Sequence, residues 1–310
     1  MHLAEKLPRI AYGKGGNTMN KRTFGSVSYG ILSTVFLILL CLVMLYPMLY
    51  VLFASLSDGN LIMSHSGLLL RPLGFNLSAY KIVLADQRVF TGYMNTIIVM
   101  VAGLLVNMVL TCLGAYFLTR KNVYFQKHIM ILIVVTMFIN GGLIPTYLVV
   151  KSLGLLDSRL ALILPVAVNT YNLIIMKAGF ASVPASLEEA AKIDGASDGW
   201  VLIRVMIPLA MPTISVLILY YAVYHWNAWF NAMIYISNRS LQPLQVVLRE
   251  ILLKNQNQDN LNTALMQNTE AVSESIKYAT IMVSIIPALC IYPFLQKYFT
   301  KGVMIGAVKG

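Results

Sequence analysis

Long apolar runs recur along this chain, and they decide most of what it can fold into. A helix of about 20 apolar residues crosses the ~30 Å hydrocarbon layer of a bilayer. Six such stretches are legible, at roughly 30–56, 93–119, 128–150, 159–181, 208–236 and 277–297. The first, second and fifth are long enough to tilt or to project beyond the hydrocarbon. Pro47, Pro145, Pro165 and Pro287 fall inside them, where neighbouring helices can satisfy the freed carbonyls. The expected fold class is an all-α membrane protein with six transmembrane helices. Charge points the same way, because only 11% of the 310 residues are charged. A soluble domain carries about 25%.

The formal net charge is +11. Lys and Arg sit at the ends of the apolar runs, with no basic stripe on a polar surface, so nucleic acid is not an expected partner. With the N-terminus inside, the inward segments hold 14 of the 23 Lys and Arg residues. That modest bias places both termini in the cytoplasm. Residues 1–28 read as a flexible cytoplasmic tail, 29–298 as the membrane domain and 299–310 as a cytoplasmic C-terminal tail. The first run is too long for the core of a cleavable signal peptide, and Met19 is a second candidate start. Cys41, Cys112 and Cys290 lie singly inside apolar runs, as small buried side chains do, and offer no metal spacing.

The spans carry no Asp, Glu, Lys or Arg away from their edges, and His225 is the only histidine deep in one. Ion-coupled carriers and pumps ordinarily need an ionisable group there. Two extracytoplasmic stretches are long, about 57–92 and 237–276. In the second, Leu244, Val247, Leu248, Ile251 and Leu252 repeat at helical spacing ahead of an Asn- and Gln-rich run. A short amphipathic helix is expected, lying at the interface, against a partner, or on this chain's own helix ends.

One cytoplasmic stretch, 184–208, differs from the rest in holding six charged residues. Ser186 and Glu189 have capping-box spacing, which predicts a helix from about Leu187. Leu187, Ala190 and Ala191 share a face that admits close approach. Gly195 stands where a helix end wants a left-handed residue, and Ser197 can cap the next turn. Pro208 suits the first turn of the fifth span. The result is a helix–bend–helix with an acidic rim of Glu188, Glu189, Asp194 and Asp198. Local physics leaves it either an interfacial connector or a handle for a partner.

Glu189-Ala190-Ala191, Asp194-Gly195-Ala196, then Ile207-Pro208-Leu209 and Pro212 resemble the EAA motif of ABC importer permeases, with Ile207 in place of the usual Leu. The C-terminal stretch 296–310, His225-Trp226-Asn227 with Trp229-Phe230-Asn231, and the run 141–147 resemble the maltose-type, oligosaccharide-importing permeases. The likeness covers most of 30–310.

The resemblance implies a type I ABC importer permease whose coupling-helix elbow contains Glu188, Glu189, Ala190, Ala191, Asp194, Gly195, Ala196 and Pro208. It implies a bacterial inner-membrane chain with a second, different permease, two cytoplasmic ATPase subunits and an extracytoplasmic solute-binding protein as partners. ATP and Mg would belong to the ATPase. No cofactor, metal or catalytic residue is expected on this chain, which has no phosphate-cradling Gly-rich loop ending in Gly-Lys-Ser/Thr.

Sugar sites combine aromatic faces with amides and hydroxyls. Candidate substrate-path residues are Asn140, Tyr147, Tyr171, Asn172, Trp226, Asn227, Trp229 and Asn231, with Asn169 and Tyr224 beside them. Interfacial anchoring and helix bridging would place the same residue types equally well. The alternatives are the same machine with an amino acid or peptide as cargo, a membrane scaffold, or an intramembrane enzyme. For the last, the scattered His2, His65, His128 and His225 supply no constellation.

Overall fold

The computed structural model describes residues 24–120, 123–139, 141–258 and 273–290. Two units divide at residue 49. Of the first, the described part is one helix whose large apolar side chains are uncovered on all faces, as Leu32, Phe36, Leu42 and Met44 are. Lipid can solvate such a surface, because the helix satisfies its own backbone. That helix, α1, runs Phe24–Ser55 and ends in the second unit, with Pro47 accommodated inside it.

In the second unit, α2 (Gly59–Ser64) is capped by Asp58 and is followed by α3 (Ser78–Ala85). Helix α4 (Gln87–Thr119) starts at the Asp86 cap, six residues before the predicted edge of the second span. Then come α5 (Gln126–Phe138) and α6 (Leu143–Ser152), two 3-10 turns (Arg159–Leu162 and Leu164–Val166), and α7 (Thr170–Ala181) capped by Asn169. The elbow is α8 (Ala185–Ile193) and α9 (Asp198–Val201), joined through a π turn, Leu202–Met206, to the single turn α10 (Ile207–Leu209). Helices α11 (Met211–Trp226), α12 (Phe230–Tyr235) and α13 (Leu244–Gln258) follow, and a last helix, α14, occupies 273–290.

Three predicted spans are not single helices. The third breaks between α5 and α6, where Gly142 has φ +87° and Pro145 follows within the first turn of α6. The fourth bends by 55° between its 3-10 turns and α7, and Pro165 lies in the second of those turns. The fifth is interrupted at 227–229, and its approach from α9–α10 turns by 85° at Ala210. Pro145 and Pro165 therefore mark breaks instead of being repaired within continuous helices. The sixth is already helical at 273, and its residues from 291 onward lie outside those described.

Helix α4 ties the second unit together. Its first turns pack Val89 with Val83, Leu244 and Val247, its middle packs Val99 with Val150 and Ala161, and its end packs Tyr116 and Leu118 with Phe180 and Leu217. Close approach is possible because glycines face the neighbours. A Cβ on Gly92 would meet the Leu244 backbone at 3.0 Å. Small residues of this kind are what let membrane helices pack. The predicted amphipathic helix is α13. Its apolar face is spent on this chain's own helices, with Leu244, Val247 and Leu248 buried.

Candidate functional site

The elbow closes through left-handed glycine chemistry. Gly195 has φ +82°, and the Ala196 N–H donates to Ala191 O across the end of α8. That pattern satisfies carbonyls a helix end would otherwise leave open. Ser197 accepts from the Trp200 N–H, as its spacing predicts. The capping box does not form, because α8 begins at Ala185 with Pro184 before it and Ser186 inside the helix. Proline supplies no side-chain cap, but its φ suits the entry. Pro208 sits in the separate turn α10, and Pro212 occupies the start of the fifth span.

The acidic rim splits into two pairs of unlike residues. Glu188 is partly buried and ion-paired to Arg120, and it also accepts Lys192 at 3.2 Å. Lys192 reaches Asp198 at 3.3 Å as well. Glu189 and Asp194 are exposed and make no ion pair among the described residues. Burial pushes the Arg120 guanidinium down from its ordinary value, and Asp198 opposes that. Ala191 turns inward onto the core, whereas Leu187 and Ala190 remain uncovered. Ile193 is 86% exposed, Ile203 62% and Trp200 51%, so the elbow presents an apolar face that the described residues do not cover.

A cavity of about 710 Å³ opens between α5, α7 and α11. Tyr171 and Asn172 line it, with Asn169, Thr136, Thr170, Tyr220, Tyr221 and Tyr224. Tyr220 and Tyr224 are four apart, hence neighbours on α11. Asn140 lies outside the described residues. The remaining candidates lie elsewhere. Tyr147 stacks on Tyr235 with centroids 6.3 Å apart. Trp226 is buried beside Tyr93, and Asn227 donates to Val223 O at 2.9 Å. Those two border a separate, largely apolar cavity of about 340 Å³. Trp229 lies under the Arg249 guanidinium at 3.8 Å, and Asn231 is half-buried in α12.

The tyrosine cavity rests on buried polar contacts. Tyr221 and Thr111 share a hydrogen bond of 2.8 Å, and the Tyr221 oxygen accepts the Asn169 N–H. Asn107 donates to the carbonyls of Val166 and Ala167, at the break before α7. Its Oδ1 is therefore the acceptor facing His225 Nε2 at 2.7 Å, which assigns the Nε2–H tautomer. His225 is a structural histidine tying α11 to α4. It packs on Gly103, where a Cβ would come within 2.5 Å of Nε2. Gly103→Ala is accordingly expected to destabilise the fold by about 1–3 kcal/mol, the cost of overpacking a fitted contact. A thermal-unfolding scan in detergent reads this directly, and an unchanged midpoint would show that the α4–α11 contact yields freely.

Reading the sequence missed Tyr220, Tyr221, Thr136, Thr170 and Arg120. The tyrosine pair before Tyr224 in an aliphatic run was a signal for the cavity. Arg120 carried none, because a basic residue at a span end already has an explanation.

A family model described as the inner membrane component of binding-protein-dependent transport systems matches residues 111–305. The polygalacturonan/rhamnogalacturonan transport system permease protein YtcP of Bacillus subtilis (strain 168) is 39% identical over 292 residues, 94% of this chain and 100% of the relative. Protein LplC of the same organism is 39% identical over 295 residues, 95% of this chain and 99% of the relative. Among solved structures, a chain of a bacterial ABC transporter involved in import of the acidic polysaccharide alginate superposes with a TM-score of 0.80. It shares 35% identity and covers 89% of this chain and 98% of that one.

Proposed function

The chain belongs to the family of inner membrane components of binding-protein-dependent transport systems, and from that premise we propose that it forms half of the path by which an ATP-driven importer moves an oligosaccharide. As a permease subunit it is not the ATPase. The observation that carries the reading is a tyrosine- and asparagine-lined cavity within the spans, together with a preformed elbow on which an apolar face and the Glu189 and Asp194 carboxylates are exposed. Tyrosine rings suit the C–H faces of sugar rings, and the amides and hydroxyls suit their hydroxyl groups. The names of YtcP and of the alginate importer are consistent with a saccharide cargo.

In this reading Leu187, Ile193 and Trp200 seat the elbow in a cleft of a cytoplasmic ATPase, with Glu189 and Asp194 facing basic groups there. ATP and Mg stay on that subunit, and nucleotide-driven closure of two ATPases moves two such elbows. A second permease supplies the other half of the path. Both termini are then cytoplasmic, and 237–276 faces an extracytoplasmic binding protein. Most of the polar part of that loop, from 259 to 272, lies outside the described residues.

Proteoliposomes holding the complete complex test the cargo. ATP-dependent uptake of labelled oligogalacturonides or neutral oligosaccharides is expected, while uptake of amino acids or peptides with none of sugars would sink the saccharide reading. Deleting 259–268 should abolish stimulation by the binding protein and leave assembly intact. Unchanged stimulation would remove that loop from docking.

A further inference from the structure

The end of α4 and both arms of the elbow meet in one charged cluster, and Arg120 stands at its centre. Arg120 is the residue that follows α4, and its backbone N–H closes the helix on Phe117 O at 3.2 Å. Its guanidinium carbon lies over the Tyr116 ring, 3.7 Å from the centroid, while one arm meets Glu188 on α8. Glu188 holds Lys192 one turn on, Lys192 holds the Asp198 side chain on α9, and the Tyr116 hydroxyl donates to Asp198 O at 3.1 Å. The ring and the cation that covers it therefore grip both arms from one helix.

We propose that Arg120 is the positioning residue of the elbow, setting the angle at which α8 stands from α4 and so from the tyrosine cavity. The proposal rests on the coupling role given to the elbow above, but its geometry is a property of this chain alone. Three observations favour positioning over a solvated surface pair. Arg120 and Glu188 side chains are only 16% and 24% exposed. The guanidinium is engaged by the Tyr116 ring as well as by the Glu188 carboxylate, two contacts that a solvated surface pair would lack. Without the cluster, the joint between the arms is Gly195, the residue type with the least conformational restriction. Helix α4 also carries Asn107 and Thr111, which hold the cavity wall. A tilt of the elbow thus has a route to the cavity along one helix.

The test is a distance measurement in the full chain purified with its operon partners, with Cys41, Cys112 and Cys290 replaced by alanine. Nitroxide labels on Tyr124→Cys and Ile193→Cys report the span from the turn between α4 and α5 to the tip of α8; both side chains are more than four-fifths exposed, at 88% and 86%. One narrow distance is expected in the parent. In Arg120→Gln, the population outside that peak should rise about tenfold, the shift for a part-buried coupled pair. The swap Arg120→Glu with Glu188→Arg should restore the narrow peak, a rescue that general destabilisation would not produce. An unchanged distribution in Arg120→Gln, or no recovery in the swap, would overturn the proposal. The same preparations show whether an ATPase co-purifies with the parent, so a failure of the coupling reading is seen separately from a failure of this one.

Discussion

Glu189→Lys is expected to cut ATP-dependent uptake about thirtyfold or more while the chain still inserts and folds. The expectation turns on the difference between neighbours. Glu188 is occupied inside the chain by Arg120 and Lys192, whereas Glu189, one residue on, faces outward with no ion pair among the described residues. A carboxylate left open on an elbow built to dock is the group to meet a cation on the partner. Removing one member of a buried, hydrogen-bonded interfacial charge pair costs about 2–5 kcal/mol, and reversing its sign adds repulsion. Because Glu189 makes no ion pair among the described residues, the thermal midpoint should stay where it is. Uptake by reconstituted complexes, normalised to the amount of this chain, measures the effect. Undiminished uptake would leave Glu189 as a solvated surface charge and move the docking contact to the apolar face.

Gly195→Val should reduce the ATPase recovered with the chain about tenfold. Space is not the obstacle, since a Cβ at Gly195 would meet nothing within 4 Å. The backbone is the obstacle. Gly195 holds φ +82°, and a left-handed conformation costs an L residue about 1–2 kcal/mol. A β-branched side chain raises that further. The strain is relieved by unwinding the end of α8 or by changing how the chain enters α9, and either spoils the face presented to a partner. Gly195→Asn should be milder, because asparagine tolerates this region. Normal ATPase recovery with the valine variant would mean that the bend is incidental to docking.

The sequence exposed this molecule unevenly, for identifiable reasons. The all-helical, apolar character was legible because lipid enforces runs of apolar residues whatever their packing. The breaks in three spans were not, since Pro145 and Pro165 are compatible with repaired helices until the tertiary partners are known. The Gly195 bend and the Ser197 cap were legible because φ and capping preferences are local. The start of α8 was misread, since Pro184 and the Ser186–Glu189 spacing offer competing entries and the chain takes the proline. Along the candidate path, composition picked out Tyr171 and Asn172 but equally Tyr147, Trp226 and Trp229, which pack against this chain's own side chains. Which aromatic faces a cavity depends on helix rotation, and mostly apolar helices have no polar face to set it.

The most direct measurement is co-purification. The chain would be expressed with its genomic neighbours, solubilised in detergent and recovered by a tag on this subunit alone. An ATPase, a second multi-span permease and a solute-binding protein are expected in the same complex, with ATPase recovery cut about tenfold in Gly195→Val. Recovery of the chain with no ATPase, even after crosslinking from Ser186 or Asp198 on the elbow, would contradict it and make α8 and α9 an interfacial connector.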